Sequence, residues 1–442
     1  MRQGIAVIAG LGKTGISVAR HLSLRGWRIA GTDTRVEPPG LDALHAIQPG
    51  VQLRTGGLDP ALLEGASCVV ASPGLSLDDP FFFHARALGI EVIGDIELFA
   101  RAVDAPVVGI TGTNGKSTVT TLVARMATRA GLRARAGGNL GPPALDLLDG
   151  DAAGLYVLEL SSYQLETTSS LELAAATVLN VTPDHMDRYA DLEAYAAAKA
   201  RIFRRCGRAI VNLDDPLVAR MAGGGQARSG FTLDAAIRGD YALLAAEGRW
   251  WLARGGIRLL PLDEMRIRGL HNAANALAAL ALGDAIGLPL EAMLAELREF
   301  PGLPHRAEWV ADVDGVHYIN DSKGTNVGAT LAAVAGFEGT LVVIAGGDGK
   351  NQDFSPLKPA FQGKVRHAVL IGRDGPQLAR ALEGSCSLEH APTLEAAVMA
   401  ASRAARPGET VLLSPACASL DMFRDYTHRG AVFASAVKGL AA

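Results

Sequence analysis

Three short runs of β-branched residues, each followed by a glycine-rich turn, constrain the fold of this chain most strongly. IAVIAG leads into LGKTG near the N-terminus, PVVGI leads into TGTNGKST in the middle, and LVVIAGG leads into DGKNQDF later in the chain. Alanine-rich stretches with helical periodicity, such as TLVARMATRAG and NAANALAALALGDAIG, lie between such runs. Strands that alternate with helices build parallel α/β sheets. The sequence therefore predicts three α/β domains.

The breaks between the domains are expected where this alternation is interrupted. DIELFARAVDAP is typical of a helix and a linker, which sets the first break near residue 95. FPGLPHR holds two prolines and a glycine, which sets the second break near residue 302. The predicted domains are residues 1–95, 96–302 and 303–442. The alternating stretch DYALLAAEGRWWLARGGIRLLP is predicted to form antiparallel hairpins appended to the middle domain.

Composition and charge argue against several classes of protein. The net charge is -4 and no basic stripe is present, which disfavours a dedicated nucleic-acid-binding protein. No apolar run reaches the roughly 18 residues of a membrane span, and the N-terminus does not resemble a signal peptide. The four cysteines are scattered and form no C-x-x-C pair, which fits a reducing compartment. We expect a cytoplasmic protein without membrane insertion.

The strongest single motif is GITGTNGKST at residues 109–118. A glycine-rich turn between a strand and a helix presents successive backbone N–H groups, which form a cradle for phosphate. Lys116 can reach the β- and γ-phosphates of ATP, and Ser117 or Thr118 can bind Mg²⁺. The G-x-x-x-x-G-K-[ST] template places glycine at position 110, where this chain has Ile110. The motif alone leaves kinase, motor ATPase, switch GTPase and ligase open.

A second glycine motif, GLGKTG at residues 10–15, follows the first strand, and Asp33 follows the next one. Taken alone, this pattern predicts an NAD-binding Rossmann domain. The alternative interpretation, a site for another diphosphate, needs support from elsewhere in the chain.

Lys199 lies on a predicted apolar helix face with Leu192, Tyr195, Ile202 and Phe203. A lysine can place its stem on such a face and extend its ammonium group into water. If the amine is buried instead, its pKa falls, and the neutral amine can capture CO₂ as a carbamate.

Two further side chains follow apolar runs. Glu159 comes directly after LYVL, at the end of a predicted strand, where a carboxylate is suited to bind Mg²⁺. A surface glutamate is the other interpretation. His185 lies in PDHMDRY after the strand TVLNV, where an isolated histidine is usually structural or solvated.

Taken together, the motifs resemble the Mur ligase superfamily, which also includes folylpolyglutamate synthases. The matching blocks follow in order and span nearly the whole chain. They are TGTNGKST at 111–118, LELSSYQLE at 158–166, NVTPDHMDRY at 180–189, GLHNAANALAA at 269–279, GLPHR at 302–306, DSKGTNVGAT at 321–330, GGDGKNQDF at 346–354 and LLSPACASLDMF at 412–423.

The resemblance implies an ATP-dependent amide-forming ligase of peptidoglycan precursor synthesis. The implied substrates are UDP-N-acetylmuramoyl-L-alanine, D-glutamate and ATP, with an acyl phosphate intermediate and two Mg²⁺ ions. The implied fold is α/β, with an N-terminal Rossmann-like UDP-binding domain, a central P-loop ATPase-like domain and a C-terminal Rossmann-like domain that binds the amino acid. A monomer is expected. The alternatives are a related ligase for L-glutamate or another amino acid, an NAD-dependent oxidoreductase, and a P-loop switch or motor.

The resemblance also implies roles for individual residues around the nucleotide and the metal. Catalytic roles fall on Lys116, His185, Lys199 and Lys323. ATP is expected to contact Gly112, Thr113, Asn114, Gly115, Lys116, Ser117, Thr118, Asn272, Asn275, Arg306 and Asp321. The expected metal ligands are Ser117, Glu159, His185 and Lys199 as a carbamate.

The two other substrates have implied sites of their own. The UDP-linked substrate is expected to contact Lys13, Thr14, Asp33, Thr34, Arg35, Ser72, Gly74, Asn139 and His185, with Ser72, Gly74 and Asn139 lining the same groove. The amino acid is expected to contact Thr325, Lys350, Ser419 and Tyr426. Gly324 and Tyr426 depart from the family pattern, which often has alanine and phenylalanine there.

Overall fold

The computed structural model describes residues 4–440, with the exception of residues 224, 235, 236, 238 and 338. Its strands form three separate sheets, of five, nine and six strands in chain order. The prediction of a three-domain α/β fold is confirmed.

The first sheet is entirely parallel, with the strand order β3-β2-β1-β4-β5. Its strands are β1 (Ile5–Ala9), β2 (Arg28–Asp33), β3 (Gln52–Thr55), β4 (Ala66–Ala71) and β5 (Glu91–Ile93), with helices α1 (Lys13–Ser23), α2 (Leu41–Ile47) and α3 (Pro80–Ala87). The order reverses direction at β1, so the turns after β1 and β4 border a crevice where ligands of such sheets bind. Helix α4 (Asp95–Ala100) then leads to the next sheet.

The second sheet has the order β14-β13-β12-β11-β10-β9-β6-β8-β7. Its strands are β6 (Val107–Thr111), β7 (Ala134–Gly138), β8 (Leu155–Glu159), β9 (Leu173–Val178), β10 (Cys206–Asn212), β11 (Arg228–Thr232), β12 (Tyr241–Ala246), β13 (Arg249–Arg254) and β14 (Ile257–Pro261). Strands β12 to β14 are antiparallel and extend one edge, and the other pairs are parallel. The helices are α5 (Lys116–Arg129), α6 (Ser162–Glu166), α7 (Leu192–Ala200), α8 (Pro216–Ala219), α9 (Leu270–Ala285) and α10 (Leu290–Glu299).

The third sheet has the order β15-β16-β20-β17-β18-β19, in which only the β15–β16 pair is antiparallel. Its strands are β15 (Glu308–Val313), β16 (Val316–Asn320), β17 (Leu341–Gly346), β18 (Val365–Ile371), β19 (Ser387–His390) and β20 (Thr410–Leu413). The helices are α11 (Val327–Gly336), α12 (Leu357–Phe361), α13 (Gly375–Leu382), α14 (Leu394–Ala404) and α15 (Tyr426–Leu440).

Apolar strands form the centre of the two larger sheets. All residues of β6, β8 and β17 are buried, as expected for parallel strands covered by helices on both faces. Helix α9 is buried along most of its length and packs against α5. This packing places the first turns of α5 and α9 side by side. Where each domain ends between its sheet and the next stays a prediction.

Within the residues that the structure describes, none of the helices combines the length and the apolar character needed to cross a bilayer.

Candidate active site between the middle and C-terminal domains

The turn between β6 and α5 is held in a conformation that requires glycine at two positions. Gly112 has a φ of 148° and Gly115 a φ of 83°, both in the region that favours glycine. A Cβ atom at Gly115 would lie 2.4 Å from the Asn275 Oδ1 atom. Helix α9 therefore approaches the backbone of the turn directly, and Ile110 lies in β6 before the turn begins.

Lys116 folds back over this turn, which we call the phosphate loop (residues 112–118). Its Nζ donates hydrogen bonds to the carbonyl oxygens of Gly112 at 2.8 Å and Thr113 at 2.7 Å. Burial lowers the pKa of Lys116. The Asn114 N–H donates to Asn180 Oδ1 at 2.8 Å, which fixes the middle of the loop. The present partners of Lys116 are neutral carbonyl groups. A bound phosphate would supply it with a negatively charged partner.

A cavity of about 270 Å³ extends from the phosphate loop along α9 and into the C-terminal domain. We call it the nucleotide cavity. The predicted nucleotide residues that line it are Asn114, Gly115, Thr118, Asn272, Asn275, Arg306 and Asp321. Asn275 Nδ2 donates to Asn272 Oδ1 at 3.2 Å, so the two amides act as a unit.

Two of these residues come from the C-terminal domain, and one of them connects it to the rest of the site. Arg306 Nη2 donates to Ser117 Oγ at 2.6 Å across the domain boundary. Asp321 Oδ2 accepts a hydrogen bond from Ser414 Oγ at 2.9 Å, and burial raises the pKa of Asp321 to about 7. A Cβ atom at Gly324 would lie 2.6 Å from Asp321 Oδ2, so glycine permits this close approach.

Glu159 and Ser117 form a pair of oxygen donors beside the phosphate loop. Ser117 Oγ donates to Glu159 Oε2 at 2.5 Å, and Asn139 Nδ2 donates to Glu159 Oε1 at 2.6 Å. Glu159 is 3% exposed, and none of the ion pairs between described residues includes it. A buried carboxylate beside a hydroxyl group, without a basic partner, suits Mg²⁺, which binds a few protein oxygens together with phosphate and water.

The remaining metal candidates do not form a complete cage by themselves. The described part of the chain contains no group of three or more His, Cys, Asp or Glu side chains placed to hold a metal ion. A metal at Ser117 and Glu159 would therefore complete its coordination with phosphate and water oxygens. A second metal ion stays a prediction.

Lys199 is buried beneath the phosphate loop, with only 1% of its surface exposed. Its Nζ donates to the Gly112 carbonyl at 2.9 Å and lies 4.4 Å from the centroid of the Tyr195 ring. Burial and the nearby charge of Lys116 lower the pKa of Lys199 far below its usual value. The amine is therefore neutral much more readily than a surface lysine.

His185 lies in the same region and has an uncommon backbone conformation, with a φ of 59°. Its Nε2 lies 3.7 Å from Asp184 Oδ2, and its ring makes an edge contact with Tyr163. Burial lowers the pKa of His185, so the neutral imidazole predominates at pH 7. The neutral form is the one that binds a metal ion.

A second cavity of about 290 Å³, which we call the central cavity, joins these groups to the C-terminal domain. Lys323, Thr325 and Lys350 line it from that domain, together with Lys116, Ser117, Asn139, Glu159, His185, Lys199 and Arg306. Lys323 also lines the nucleotide cavity. Burial lowers the pKa of Lys323 to about 8.

Two of the predicted amino-acid contacts do not line this cavity. Ser419 is 4% exposed and does not line the central cavity. Tyr426 begins α15, and its ring centroid lies 4.0 Å from the Lys323 ammonium nitrogen. Tyr426 therefore reaches the cavity through Lys323, and the binding roles of both residues stay predictions.

A third cavity, the N-terminal cleft of about 380 Å³, opens at the turns after β1, β2 and β4. Seven of the residues predicted for the UDP-linked substrate line it, namely Lys13, Thr14, Asp33, Thr34, Arg35, Ser72 and Gly74. Asn139 lies instead beside Glu159 in the central cavity, because β7 and β8 are neighbouring strands.

The contacts of Asp33 argue against the NAD interpretation of this cleft. Its two carboxylate oxygens accept hydrogen bonds from the Leu11 N–H and from the Arg35 backbone N–H, Nε and Nη2, at 2.7–2.9 Å. A carboxylate has about four such acceptor positions. None is left for a ribose hydroxyl group, which is the usual partner of this acidic residue in NAD-binding domains.

Three residues at the site were not predicted from the sequence. The Asn180 side chain accepts a hydrogen bond from the Asn114 N–H and donates one to the Asn114 carbonyl oxygen. Asn326 connects the C-terminal domain to Asn114 and Asp184. His271 lines the nucleotide cavity beside Asn272. Asn180 lies in NVTPDH, Asn326 in GTNVG and His271 in GLHNAAN, so the sequence motifs do include them. Which residues of a motif face the cavity depends on the packing of the domains.

Three family models match successive parts of the chain. The model described as "Mur ligase MurD-like, N-terminal domain" matches residues 4–94, "Mur ligase middle domain" matches 110–283, and "Mur ligase, glutamate ligase domain" matches 305–417. The chain belongs to the Mur ligase family.

Curated relatives of this Mur ligase extend the match to the full length. UDP-N-acetylmuramoylalanine--D-glutamate ligase of Methylococcus capsulatus is 53% identical over 98% of this chain and 95% of its own. The protein of the same name from Nitrosococcus oceani is 53% identical over 98% of this chain and 96% of its own.

Solved structures agree on the fold. UDP-N-acetylmuramate-alanine ligase from Thermotoga maritima has a TM-score of 0.62 and 18% identity, and the match covers 99% of this chain and 100% of that one. MurF from Acinetobacter baumannii has a TM-score of 0.62 and 18% identity, and the match covers 98% and 90% of the two chains.

Membership of the family makes the protein an ATP-dependent ligase that uses Mg²⁺. The oxygen pair of Ser117 and Glu159 fits that metal ion.

Proposed function

We propose that this Mur ligase adds D-glutamate to UDP-N-acetylmuramoyl-L-alanine, with ATP, in peptidoglycan precursor synthesis. The names of relatives at 53% identity support this substrate pair. The observation that carries the proposal is the position of Lys323 and Arg306, which line both the nucleotide cavity and the central cavity. A phosphoryl group that leaves ATP at this junction meets an acceptor in the next cavity without crossing open solvent.

In the first step, a carboxylate oxygen of the UDP-linked substrate attacks the γ-phosphorus of ATP. The bond from this phosphorus to the β,γ-bridging oxygen breaks, an acyl phosphate forms and ADP leaves. The N–H groups of the phosphate loop and Lys116 hold the phosphates of ATP. Lys323 and Arg306 lie where negative charge spreads over the transferred group, and they stabilise it. Mg²⁺ at Ser117 and Glu159 supplies further neutralisation of phosphate charge when bound.

In the second step, the amine of the amino acid attacks the acyl carbon, and phosphate leaves. Lys350 and Thr325 lie opposite the phosphate loop in the central cavity, where they can bind the carboxylates of glutamate. Lys323 stabilises the tetrahedral intermediate, since it lies between the two cavities. Ser419 and Tyr426 are proposed as further contacts of the glutamate carboxylates, although neither lines the central cavity.

We propose further that Lys199 carries a carbamate in the active enzyme. The neutral amine attacks CO₂, a C–N bond forms, and a proton is released to solvent. Burial favours the neutral amine that this reaction needs. The resulting carbamate would be an anionic oxygen ligand in the cavity that Glu159 and His185 also line. It would supply a ligand where the described residues form no group of three His, Cys, Asp or Glu side chains able to hold a metal ion.

The N-terminal cleft is proposed to hold the uridine diphosphate. Lys13 and Thr14, at the N-terminus of α1, would meet the phosphates, and Thr34 and Arg35 would meet the uracil end. Asn139 lines the central cavity, so it would contact a part of the UDP-linked substrate that extends from the cleft into that cavity.

We also propose a cytoplasmic location and a monomeric state. All four cysteines are free and none pairs with another, which supports a reducing compartment such as the cytoplasm. The monomer is what the resemblance to the Mur ligases implies.

Phosphate release from ATP with UDP-N-acetylmuramoyl-L-alanine tests the function against a panel of D- and L-amino acids. Of the amino acids in the panel, only D-glutamate should give rapid phosphate release. The product should have the mass of UDP-N-acetylmuramoyl-L-alanine joined to one glutamate through an amide bond. Rapid release with L-glutamate or another amino acid would identify a related ligase instead, and release without any amino acid would favour a P-loop switch or motor.

A further inference from the structure

Asn326 is a buried amide of the C-terminal domain that reaches two parts of the middle domain. It is 3% exposed and immediately precedes α11. Its Oδ1 accepts a hydrogen bond from the Ala329 N–H at 2.8 Å, which caps the helix. Its Nδ2 lies 3.2 Å from Asp184 Oδ2 and 3.4 Å from Asn114 Oδ1. Its Oδ1 also accepts a hydrogen bond from Asn114 Nδ2 at 3.5 Å. The oxygen therefore contacts both its own helix and the phosphate loop, and the Nδ2 donor contacts the facing domain alone.

Each of the two partners belongs to a loop that carries a proposed catalytic side chain. Asp184 precedes His185, and Asp184 Oδ1 accepts a hydrogen bond from the His185 N–H at 3.0 Å. Asn114 lies in the phosphate loop, two residues before Lys116. Loss of the Asn326 donor would therefore leave Asp184 without its partner from the C-terminal domain, and Asn114 would keep only the 3.5 Å contact of its Nδ2 with the oxygen at position 326.

The first turn of α11 packs closely against the loop that contains Asp184. A Cβ atom at Gly328 would lie 2.7 Å from Thr182 Oγ1, so glycine permits this approach. Asn326 can meet Asp184 only when α11 lies against this loop. The same seating brings Arg306 to Ser117, where Nη2 and Oγ are 2.6 Å apart.

We propose that Asn326 is a positioning residue that couples the seating of the C-terminal domain to the alignment of the His185 loop and the phosphate loop. The domain that supplies Lys323 and Arg306 thereby also fixes the loops that face them. Closure and alignment occur together, so the acyl phosphate forms only where water is excluded. The inference rests on the proposed ligase reaction and adds a residue to it.

Two substitutions separate capping from coupling. Asn326→Asp keeps the size and the capping acceptor but places a second carboxylate against Asp184. Asn326→Ser keeps a capping oxygen but is too short to reach Asp184. We expect kcat to fall about tenfold for Asn326→Ser and about 100-fold for Asn326→Asp. The KM for ATP should change much less than kcat, because Asn326 does not line the nucleotide cavity and is connected to it only through Asn114.

Thr393→Ala is the matched control, since Thr393 caps α14 in the same domain by accepting a hydrogen bond from the Ala396 N–H. It should lower the melting temperature and leave kcat unchanged. If Asn326 only capped α11, both Asn326 variants would keep the kcat of the wild type, and this result would overturn the proposal.

A double variant tests the direction of the contact. When Asn326→Asp is combined with Asp184→Asn, the amide donor lies at position 184 and the carboxylate acceptor at position 326. The hydrogen bond can therefore form again in the opposite direction. We expect kcat of the double variant to exceed that of Asn326→Asp by about fivefold or more. A double variant no faster than Asn326→Asp would count against a direct contact between the two side chains and would also overturn the proposal.

Small-angle X-ray scattering separates this inference from the proposed function, because it needs no turnover. A non-hydrolysable ATP analogue with UDP-N-acetylmuramoyl-L-alanine should compact the wild type and leave Asn326→Asp extended. If the wild type forms no product with any amino acid, the proposed function fails, and the difference in compaction still supports the coupling. If both proteins compact equally, the coupling is wrong even for an active enzyme.

Discussion

The N-terminal cleft and the central cavity both lie at the carboxyl ends of parallel strands, but they differ in how their charges are compensated. In the cleft, Asp33 accepts four hydrogen bonds, and Arg35 supplies three of them. In the central cavity, five basic side chains face only two acidic ones. The basic residues are Lys116, Lys199, Arg306, Lys323 and Lys350, and the acidic ones are Glu159 and Asp184.

This difference indicates different roles for the two regions. The cleft is lined by residues of one domain, and its buried acidic residue is already paired within that domain. The central cavity gathers positive charge from two domains, and burial lowers the pKa values of Lys116, Lys199 and Lys323. Phosphates and carboxylates that bind there supply the missing negative charge. Changes in the cavity should therefore affect kcat or the small substrates, and changes in the cleft only the UDP-linked substrate.

The largest effect is expected for Lys116→Ala. Lys116 contacts the phosphate loop through Gly112 and Thr113 and would meet charge that develops during phosphoryl transfer. We expect the rate of phosphate release to fall about 1,000-fold, with the circular dichroism spectrum unchanged. A folded variant with wild-type turnover would remove the ATP site from this loop.

Lys199→Ala should nearly abolish activity, by about 100-fold or more, if a metal ligand is lost. Short carboxylates such as acetate or formate should restore part of the rate, because they can replace the carbamate oxygens. The exposed Lys438→Ala serves as the control and should have no effect. An unmodified Lys199 mass in an active, bicarbonate-supplied enzyme would contradict the carbamate and leave the proposed metal site at Ser117 and Glu159.

Lys350→Ala should raise the KM for the amino acid far more than the KM for ATP. A hydrogen bond to a charged group contributes about 1.5–3 kcal/mol, which corresponds to about tenfold to a hundredfold in affinity. Lys350 has a φ of 50°, and alanine carries the same Cβ strain, so the backbone is not relaxed by the change. Lys358→Ala, in α12 of the same domain, should change neither constant. A rise in the KM for ATP alone would place Lys350 in the nucleotide site.

The contrast between the two regions also shows how far the sequence could be interpreted. The three α/β domains and the phosphate loop follow from local patterns, because strand, turn and helix signals lie within short windows. The helical spacing around Lys199 predicts an apolar face but leaves open whether the amine is buried or extends into water. Its burial beneath the phosphate loop depends on the packing of that helix.

Contacts that depend on strand order or on two domains were not predictable in this way. Asn139 was placed with Ser72 and Gly74, yet the pairing of β7 with β8 puts it beside Glu159. Asn326 resembles an ordinary helix cap in the sequence, and only the approach of α11 to Thr182 gives it a second role. Such residues are defined by distances between segments far apart in the chain.

The pH dependence should show the charge of the central cavity directly. The pKa of Lys323 is lowered to about 8 by burial, so kcat/KM, which reports on the free enzyme, should fall about tenfold per pH unit above pH 8. Lys323→Arg should remove this limb, because arginine stays charged. The fold disfavours the charged lysine, so between pH 8 and 10.5 its contribution to the free energy of unfolding rises with pH. If activity and the free energy of unfolding both fell above pH 8, unfolding would account for the loss of activity. That result would contradict the assignment of this limb to Lys323.

The smallest effect is expected in the N-terminal cleft, for Arg35→Ala. The Arg35 side chain is 51% exposed, and exposed ion pairs contribute about 0.2–1 kcal/mol. The KM for UDP-N-acetylmuramoyl-L-alanine should therefore rise only about 1.5- to 5-fold, with kcat and the KM for D-glutamate unchanged. Arg54→Ala removes another exposed arginine of the same domain, one that does not line the cleft, and should change none of these constants.

The pKa of Asp33 is lowered to about 2, so the pair stabilises the fold above pH 4, and this contribution is lost as the pH falls from about 4 to 2. The KM for the UDP-linked substrate should consequently stay flat between pH 5 and 9 in the wild type. A fall in kcat for Arg35→Ala would show that the cleft takes part in the reaction itself, and the division between a fixed recognition cleft and an assembled catalytic cavity would then be wrong.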